Sequence, residues 1–242
     1  MMDKLHLDQH ISREFNEELE QVRDDLITMA RLAVGLLRDS MAALLAQDAA
    51  RGRELDLADD AIDDLECSID EECQRIIARR QPAATDLRLL ISVLKNSTDL
   101  ERIGDEAQKL ARMAVRRGTD LRQPLPQTGR LQALAEAVTE ALEDSIRALE
   151  TFDAELAFRL HQNDRQIDAA YRELVAASIR PLTQSPEDVL DLVAAARALE
   201  RIGDHVCNIC EQLIYLLGGE DVRHLPLAEV AEVVRRASER EQ

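Results

Sequence analysis

The pattern of apolar and polar positions along this chain predicts long amphipathic helices. In the first segment, apolar residues recur at alternating steps of four and three, at Val22, Leu26, Met29, Ala33 and Leu36. One stripe at this period marks the buried face of a helix. The same period continues to about residue 216, with breaks only at short polar or proline-containing stretches.

Those breaks divide the pattern into six helices and a tail. We expect turns at these places: Asp48–Gly52, Gln81–Pro82, Gly118–Gly129, Phe152–Asp153, Arg180–Pro181 and Gly218–Gly219. Proline ends a helix because it lacks an N–H donor, and glycine ends one because it accepts a left-handed backbone. Thr85 or Asp86 can cap the third helix, and Ser185 followed by Pro186 can cap the sixth. One short helix is expected in the tail, at Leu227–Arg236.

The second half of the chain repeats motifs of the first half. Glu101-Arg102-Ile103-Gly104-Asp105 recurs letter for letter as residues 200–204, and the Asp-x-x-Ile-Asp pattern of residues 59–63 recurs at residues 164–168. Two matched motifs at corresponding helix positions indicate an internal duplication. We therefore predict an all-α fold of two tandem three-helix bundles with long antiparallel helices, related by a pseudo-twofold axis. The predicted boundaries are residues 10–118 and 130–218, with a linker at 119–129 and a tail at 219–242.

The net charge of the chain argues against two classes of function. The chain carries 30 basic and 48 acidic residues, a formal charge of −18. A field of that sign repels phosphate backbones and anionic lipid headgroups, so we expect neither nucleic-acid binding nor direct membrane binding. It attracts cations and basic protein surfaces. Met1–His10 lacks the basic and apolar regions of a signal peptide, and no apolar run is long enough to span a bilayer, so we expect a cytoplasmic protein.

Four cysteines need a separate interpretation. Cys207 and Cys210 form a Cys-x-x-Cys pair, but it lies inside a continuous helical pattern, with no second pair to complete a four-ligand zinc site. Cys67 and Cys73 are six residues apart, which places them on different faces of a helix. We interpret all four as small buried apolar residues in a reducing compartment, and a zinc or redox role is the alternative.

The repeated motifs are rich in carboxylates at a spacing of four residues. This spacing stacks each pair on one helix face, where like charges cost about 0.2–0.5 kcal/mol unless they are neutralised. Such pairs are either a solvated acidic face or a surface cation site, because clustered carboxylates are oxygen ligands for Mg²⁺, Mn²⁺ or iron. On a helical wheel they lie away from the apolar seams, so we expect them on an outer surface. The candidate metal ligands are Glu101, Asp105, Glu200 and Asp204, with Asp59, Asp63, Asp164 and Asp168 as partners.

Gly104 and Gly203 occupy the middle of predicted helices, where glycine costs about 1 kcal/mol relative to alanine. A costly residue at the same place in both repeats indicates that something approaches the backbone there. Close packing of the preceding helix is our first interpretation, and access for a ligand is the alternative.

Three segments together resemble a known family. They are Asp86-Leu87-Arg88 with residues 99–105, then residues 199–211, and then residues 219–224. These segments are similar to the signatures of the PhoU family, and the resemblance extends over residues 10–224. It implies two three-helix bundles, a homodimer and no enzymatic activity. It also implies regulation of phosphate uptake and of the phosphate-starvation response, through a Pst-type phosphate ABC transporter, with its PstB-type ATPase, and a PhoR-type sensor kinase.

Some members of that family carry iron or other metal clusters at E(D)xxxD motifs, and the resemblance transfers this role to the candidate carboxylates above. The first half departs from the pattern. Where the second half has His205, Asn208 and Glu211, the first has Glu106, Lys109 and Arg112. Lys109 follows Asp105 by four residues and can pair with it, in competition with a metal. We therefore expect the site with Glu200 and Asp204 to be the stronger one.

Two other classes remain as alternatives. A ferritin-like carboxylate metalloprotein needs Glu-x-x-His pairs directed into a bundle core, and this sequence contains no such pair. A structural coiled-coil scaffold needs unbroken heptads, which the prolines interrupt. The sequence also lacks a glycine-rich phosphate loop and a basic patch with aromatic residues.

Overall fold

A computed structural model describes residues 13–178 and 185–240, and this part of the chain is helical with no strand. The all-α prediction is confirmed. The predictions for Met1–His10 and for Arg180–Pro181 lie outside the described residues. The helices are α1 (Arg13–Ala46), α2 (Ala49–Asp56), α3 (Asp60–Arg80), α4 (Ala84–Thr119), α5 (Thr128–Thr151), α6 (Ala154–Ser178), α7 (Pro186–Gly218) and α8 (Leu227–Arg240).

Most predicted helix ends are confirmed. Gln81 ends α3 and Phe152 ends α5, each in the left-handed conformation. Ser185 caps α7 through a hydrogen bond from the backbone N–H of Asp188, and Gly219 ends the helix with a φ of 78°. The tail helix is also present as α8, which packs on α6 and α7.

Two local predictions are wrong. The third predicted helix begins at Ala84, and its N-cap is Ala83, which has no side-chain cap, instead of Thr85 or Asp86. The second predicted helix is divided into α2 and α3, and Gly52 lies inside α2. The division allows both pieces to reach α4: a Cβ on Gly52 would lie 2.8 Å from the Ala111 carbonyl oxygen, so α2 presses its backbone against that helix.

Helices α1 to α4 form the first bundle, and α5 to α7 form the second. Contacts between the bundles join corresponding helices, α4 with α7 and α1 with α5, as a pseudo-twofold axis requires. α4 and α7 are antiparallel: Arg88 near the start of α4 donates to the Leu216 carbonyl near the end of α7 at 3.3 Å, and Ser92 donates to the Gln212 carbonyl at 3.4 Å. A single apolar core continues across this contact.

The opposite end of the α4–α7 contact is ionic. Arg117 of α4 is fully buried, and its Nη1 lies 2.9 Å from Asp188 Oδ1 and 2.7 Å from Asp191 Oδ2 of α7. Its Nη2 donates to the Gln123 carbonyl in the segment between the bundles. A buried cation with two carboxylates and a carbonyl fixes the register of α4 against α7, since displacing it would leave unpaired charges.

Candidate functional site

The two repeated glycines lie where neighbouring helices approach α4 and α7. A Cβ on Gly104 would lie 2.6 Å from Asp59 Oδ1 and 3.1 Å from Ile62 Cδ1 of α3. A Cβ on Gly203 would lie 3.1 Å from Ile167 Cγ2 of α6. Close packing of the preceding helix is therefore the reason for both glycines, as the first interpretation held.

This packing corrects the expectation that all eight carboxylates lie on an outer surface. Asp59 is only 4% exposed and Glu200 only 8%, whereas Asp63 and Asp204 are exposed. Glu101, Asp105, Asp164 and Asp168 are half-buried. The helical wheel failed because it assumed one buried seam per helix. In fact α4 is covered by α1, α2, α3 and α7, and α7 is covered by four neighbours as well.

In the first half, an arginine of the motif neutralises its carboxylates. Arg102 lies 3.3 Å from Glu101 Oε2 and 3.4 Å from Asp105 Oδ2. Asp59 has no such partner, and its Oδ1 is buried without a hydrogen bond. Burial, together with the charges of Asp63, Asp105 and Glu101, raises the pKa of Asp59 to about 6.

In the second half, three carboxylates converge. Asp168 of α6 and Glu200 and Asp204 of α7 each offer an oxygen, and these oxygens lie within 4.8 Å of one another. Arg172 binds Asp168 at 2.8 Å and Arg197 binds Glu200, so each arginine approaches from the edge of its own helix. Across residues 13–178 and 185–240, the corresponding first-half carboxylates form no trio this close.

Like Glu101 in the first half, Glu200 has a buried oxygen without a hydrogen bond. Its Oε2 is buried and accepts no hydrogen bond, although its other oxygen pairs with Arg197. Burial raises the pKa of Glu200, and the charges of Asp204, Asp168 and Asp164 raise it further, against a lowering by Arg197. Three oxygens at this separation, one of them without a partner, fit a divalent cation that prefers oxygen ligands, such as Mg²⁺ or Mn²⁺.

The arginine in the second copy of the motif contacts a different partner from the arginine in the first copy. Arg201 crosses to the other bundle, and its Nε lies 3.0 Å from Glu106 Oε1 of α4. Glu106 also binds Lys109 at 2.9 Å. The expectation that Lys109 pairs with Asp105 is therefore wrong, because the buried carboxylate of Glu106, three residues away on the same helix, takes it instead.

A known protein family matches each half of the chain separately. The PhoU domain family matches the chain twice, at residues 26–114 and 131–213. The phosphate-specific transport system accessory protein PhoU homolog of Pseudomonas putida is 40% identical over 238 residues, which cover 97% of this chain and 93% of that protein. The chain belongs to the PhoU family. The resemblance inferred from the sequence motifs is confirmed.

Solved structures of PhoU proteins share the fold. The crystal structure of PhoU from Pseudomonas aeruginosa has a TM-score of 0.81 at 40% identity, and it covers 85% of this chain and 100% of that chain. The phosphate transport system regulatory protein PhoU from Streptococcus pneumoniae has a TM-score of 0.79 at 27% identity, over 86% of this chain and 99% of its own. As to membranes, no helix within the described residues has the length and apolar character to cross one.

The cysteines of this PhoU family member do not behave alike. Cys73 and Cys210 are buried, as expected, and burial raises the pKa of Cys73 to about 12. Cys67 is exposed, and Cys207 is half-buried with its Sγ 2.9 Å from His161 Nδ1, so the expectation is wrong for these two. The Cys-x-x-Cys spacing drew attention to Cys210 as the partner of Cys207, whereas the polar neighbour comes from α6.

Sequence reasoning also missed two polar residues beside Cys207. They are His161 and Glu211, and Glu211 Oε1 lies 3.7 Å from His161 Nδ1. A signal was present in the repeat. His161 precedes Asp164 by three residues, and Asp56 stands at the matching place before Asp59, so the comparison of the halves marked this position as different.

Proposed function

We propose that this protein regulates phosphate uptake and holds the phosphate-starvation response off when phosphate is plentiful, as a cytoplasmic adaptor and not as an enzyme. Its partners would be a PstB-type transporter ATPase and a PhoR-type sensor kinase. The observation that carries the proposal is membership of the PhoU family over both repeats. Relatives named as accessory or regulatory proteins of phosphate transport support it, at high coverage of both chains.

The charge of the chain supports docking by electrostatic attraction. A net charge of −18 favours basic surfaces on the ATPase or on the kinase, and it speeds association at low ionic strength. The trio of Asp168, Glu200 and Asp204 would hold Mn²⁺, Mg²⁺ or iron, because each of these cations accepts oxygen ligands. A bound cation supplies positive charge at this point of the acidic face, so it would adjust the affinity for a basic partner.

The test is binding of the purified protein to the isolated ATPase and to the cytoplasmic part of the kinase. Biolayer interferometry would be run with and without Mn²⁺, at low and high NaCl. We expect saturable binding to at least one partner that weakens at least about tenfold in high salt. The double variant Glu200→Gln/Asp204→Asn should lose the response to Mn²⁺ while its helicity stays unchanged. Absence of binding to both partners in every condition would refute the adaptor role.

The expected homodimer is part of the same proposal. Analytical ultracentrifugation of the metal-free and Mn²⁺-loaded protein measures it directly. A monomer at all concentrations would contradict a dimer, without bearing on the partner contacts.

A further inference from the structure

A second group of possible ligands lies in the groove between α6 and α7, one helical turn from the acidic trio. His161 Nδ1 is 2.9 Å from Cys207 Sγ and 3.7 Å from Glu211 Oε1, and the ligand atoms of these three residues lie within 4.8 Å of one another. They supply one nitrogen, one sulfur and one oxygen. His161 and Cys207 are half-buried, so an ion can reach them from solvent.

Glu211 holds its carboxylate in a largely buried position. It is 8% exposed, and within the part of the chain that the structure describes its carboxylate accepts no hydrogen bond from a side chain. The charges of Arg223 and His224 attract it. The guanidinium of Arg223 is already engaged with Asp221 at 3.0 and 3.1 Å. A metal ion bound directly to this carboxylate would offset the cost of its burial.

In the first half, the positions that match these three residues hold an internal ion pair. At the matching positions stand Asp56, Gln108 and Arg112. Arg112 Nε donates to Asp56 Oδ1 at 2.6 Å, and Gln108 Nε2 donates to the Asp56 carbonyl at 2.9 Å. An internal ion pair therefore balances the charge in the first half. The second half has an imidazole, a thiol and an anion at these positions, with no arginine among them.

We propose that His161, Cys207 and Glu211 bind one divalent ion of the zinc class, separate from the oxygen-rich site at Asp168, Glu200 and Asp204. Nitrogen and sulfur ligands favour Zn²⁺ or Co²⁺ over Mg²⁺ or Mn²⁺. On binding, Cys207 Sγ releases its proton to solvent, and thiolate and carboxylate together balance the two positive charges. Water takes the fourth position. The Nδ1–Sγ separation widens from 2.9 Å to about 3.5 Å, as tetrahedral zinc bond lengths require.

The experiment titrates the metal-free protein with Co²⁺ and records absorbance, because a cobalt–thiolate bond gives a charge-transfer band in the near ultraviolet. We expect a band that saturates at one Co²⁺ per chain and is displaced by Zn²⁺. Cys207→Ser should abolish the band, and His161→Gln should weaken binding at least about tenfold. Cys67→Ser, at an exposed cysteine, is the matched control and should leave the band intact. Glu200→Gln/Asp204→Asn should also retain it, which separates this site from the acidic trio.

A second measurement needs no variant. Alkylation of the native protein by N-ethylmaleimide, followed by mass spectrometry, reports each cysteine separately. We expect Zn²⁺ to slow labelling of Cys207 at least about tenfold and to leave labelling of Cys67 unchanged. The proposal is overturned if wild type shows no charge-transfer band, if Cys207→Ser keeps it, or if Zn²⁺ does not protect Cys207.

Discussion

The two halves of the molecule carry the same Glu-Arg-Ile-Gly-Asp sequence, yet its arginine acts differently in each. Arg102 turns back onto its own motif and lies 3.3 Å from Glu101 and 3.4 Å from Asp105. Arg201 leaves its motif and lies 3.0 Å from Glu106 in the other bundle. The first pair of carboxylates is thus paired with the arginine of its own motif, whereas in the second pair Glu200 binds Arg197 instead.

This difference between the two arginines follows from two matching positions next to the motif, Glu106 in the first half and His205 in the second. The pseudo-twofold axis that brings Arg201 to Glu106 brings Arg102 towards His205. His205 is engaged with Asp99, with its Nδ1 2.8 Å from Asp99 Oδ1. At the position that matches Glu106, the second half therefore offers Arg102 an imidazole and not a carboxylate. Both halves keep the motif, and the residues that flank it decide which partner its arginine takes.

The largest expected effect comes from replacing Arg117, the buried cation at the contact between the two halves. Arg117 is fully buried against Asp188 and Asp191, and the matching residue of the second half is Leu216. Arg117→Met leaves those carboxylates without their buried partner, so we expect a loss of about 3–5 kcal/mol in the free energy of unfolding. Urea denaturation followed by circular dichroism measures it.

The matched control for Arg117 is its neighbour Arg116, which pairs with the same Asp191 but is more than half exposed. Arg116→Met should cost less than about 1 kcal/mol. Equal losses in the free energy of unfolding for the two variants would mean that the α4–α7 contact does not depend on the buried ion pair.

A smaller effect is expected from Asp59, the most buried of the first-half carboxylates. Its pKa is raised from 3.8 in the unfolded chain to about 6. The native state therefore holds a proton that the unfolded state has lost, and stability falls as pH rises between those values. In metal-free protein at pH 7, Asp59→Asn should add roughly 3 kcal/mol to the free energy of unfolding, and the gain should vanish below pH 4.

Unfolding curves at pH 7 and at pH 3.8 test this, with Asp60→Asn at the exposed neighbouring position as the control. A gain that is the same at both pH values would show that charge is not its cause.

The repeated glycines offer a finer test of how the halves differ. Alanine in a helix interior is favoured over glycine by about 1 kcal/mol. At Gly203 the new Cβ meets Ile167 at 3.1 Å, so we expect Gly203→Ala to be within about 0.5 kcal/mol of wild type. At Gly104 it would lie 2.6 Å from Asp59 Oδ1, so Gly104→Ala should lose about 1 kcal/mol.

A double-mutant cycle identifies the contact responsible. Adding Asp59→Ala to Gly104→Ala removes the clash, and the coupling free energy from thermal or urea unfolding should be at least about 0.5 kcal/mol. Additive losses would indicate that Ile62, and not the carboxylate, limits space at Gly104.

Much of this fold could be predicted from the sequence because its signals are local. The apolar period gave the long helices, and Ser185, Gly219 and Phe152 marked helix ends by backbone chemistry that acts within a few residues. The repeat of the acidic motif gave the two bundles. The division between α2 and α3 escaped prediction because the apolar period runs through it, and only packing against α4 requires the break.

Sequence reasoning named three carboxylates that the structure brings together, but it did not predict their surroundings. The carboxylates of Glu200 and Asp204 were found from their spacing, and Asp168 was named as a partner. Their burial could not be read from a single helix, because it depends on how many neighbours cover α7. The direction of Arg201 likewise depends on a residue in the other bundle, which no local pattern reports.

The most direct measurement of the central claim is the affinity for Mn²⁺ of two matched double variants, from electron paramagnetic resonance of the free ion. Glu200→Gln/Asp204→Asn and Glu101→Gln/Asp105→Asn remove the same charges from the two copies of one motif. We predict that the second-half variant binds Mn²⁺ at least about tenfold more weakly than wild type, and the first-half variant within about threefold of it. Equal losses, or a larger loss from the first-half variant, would contradict the account.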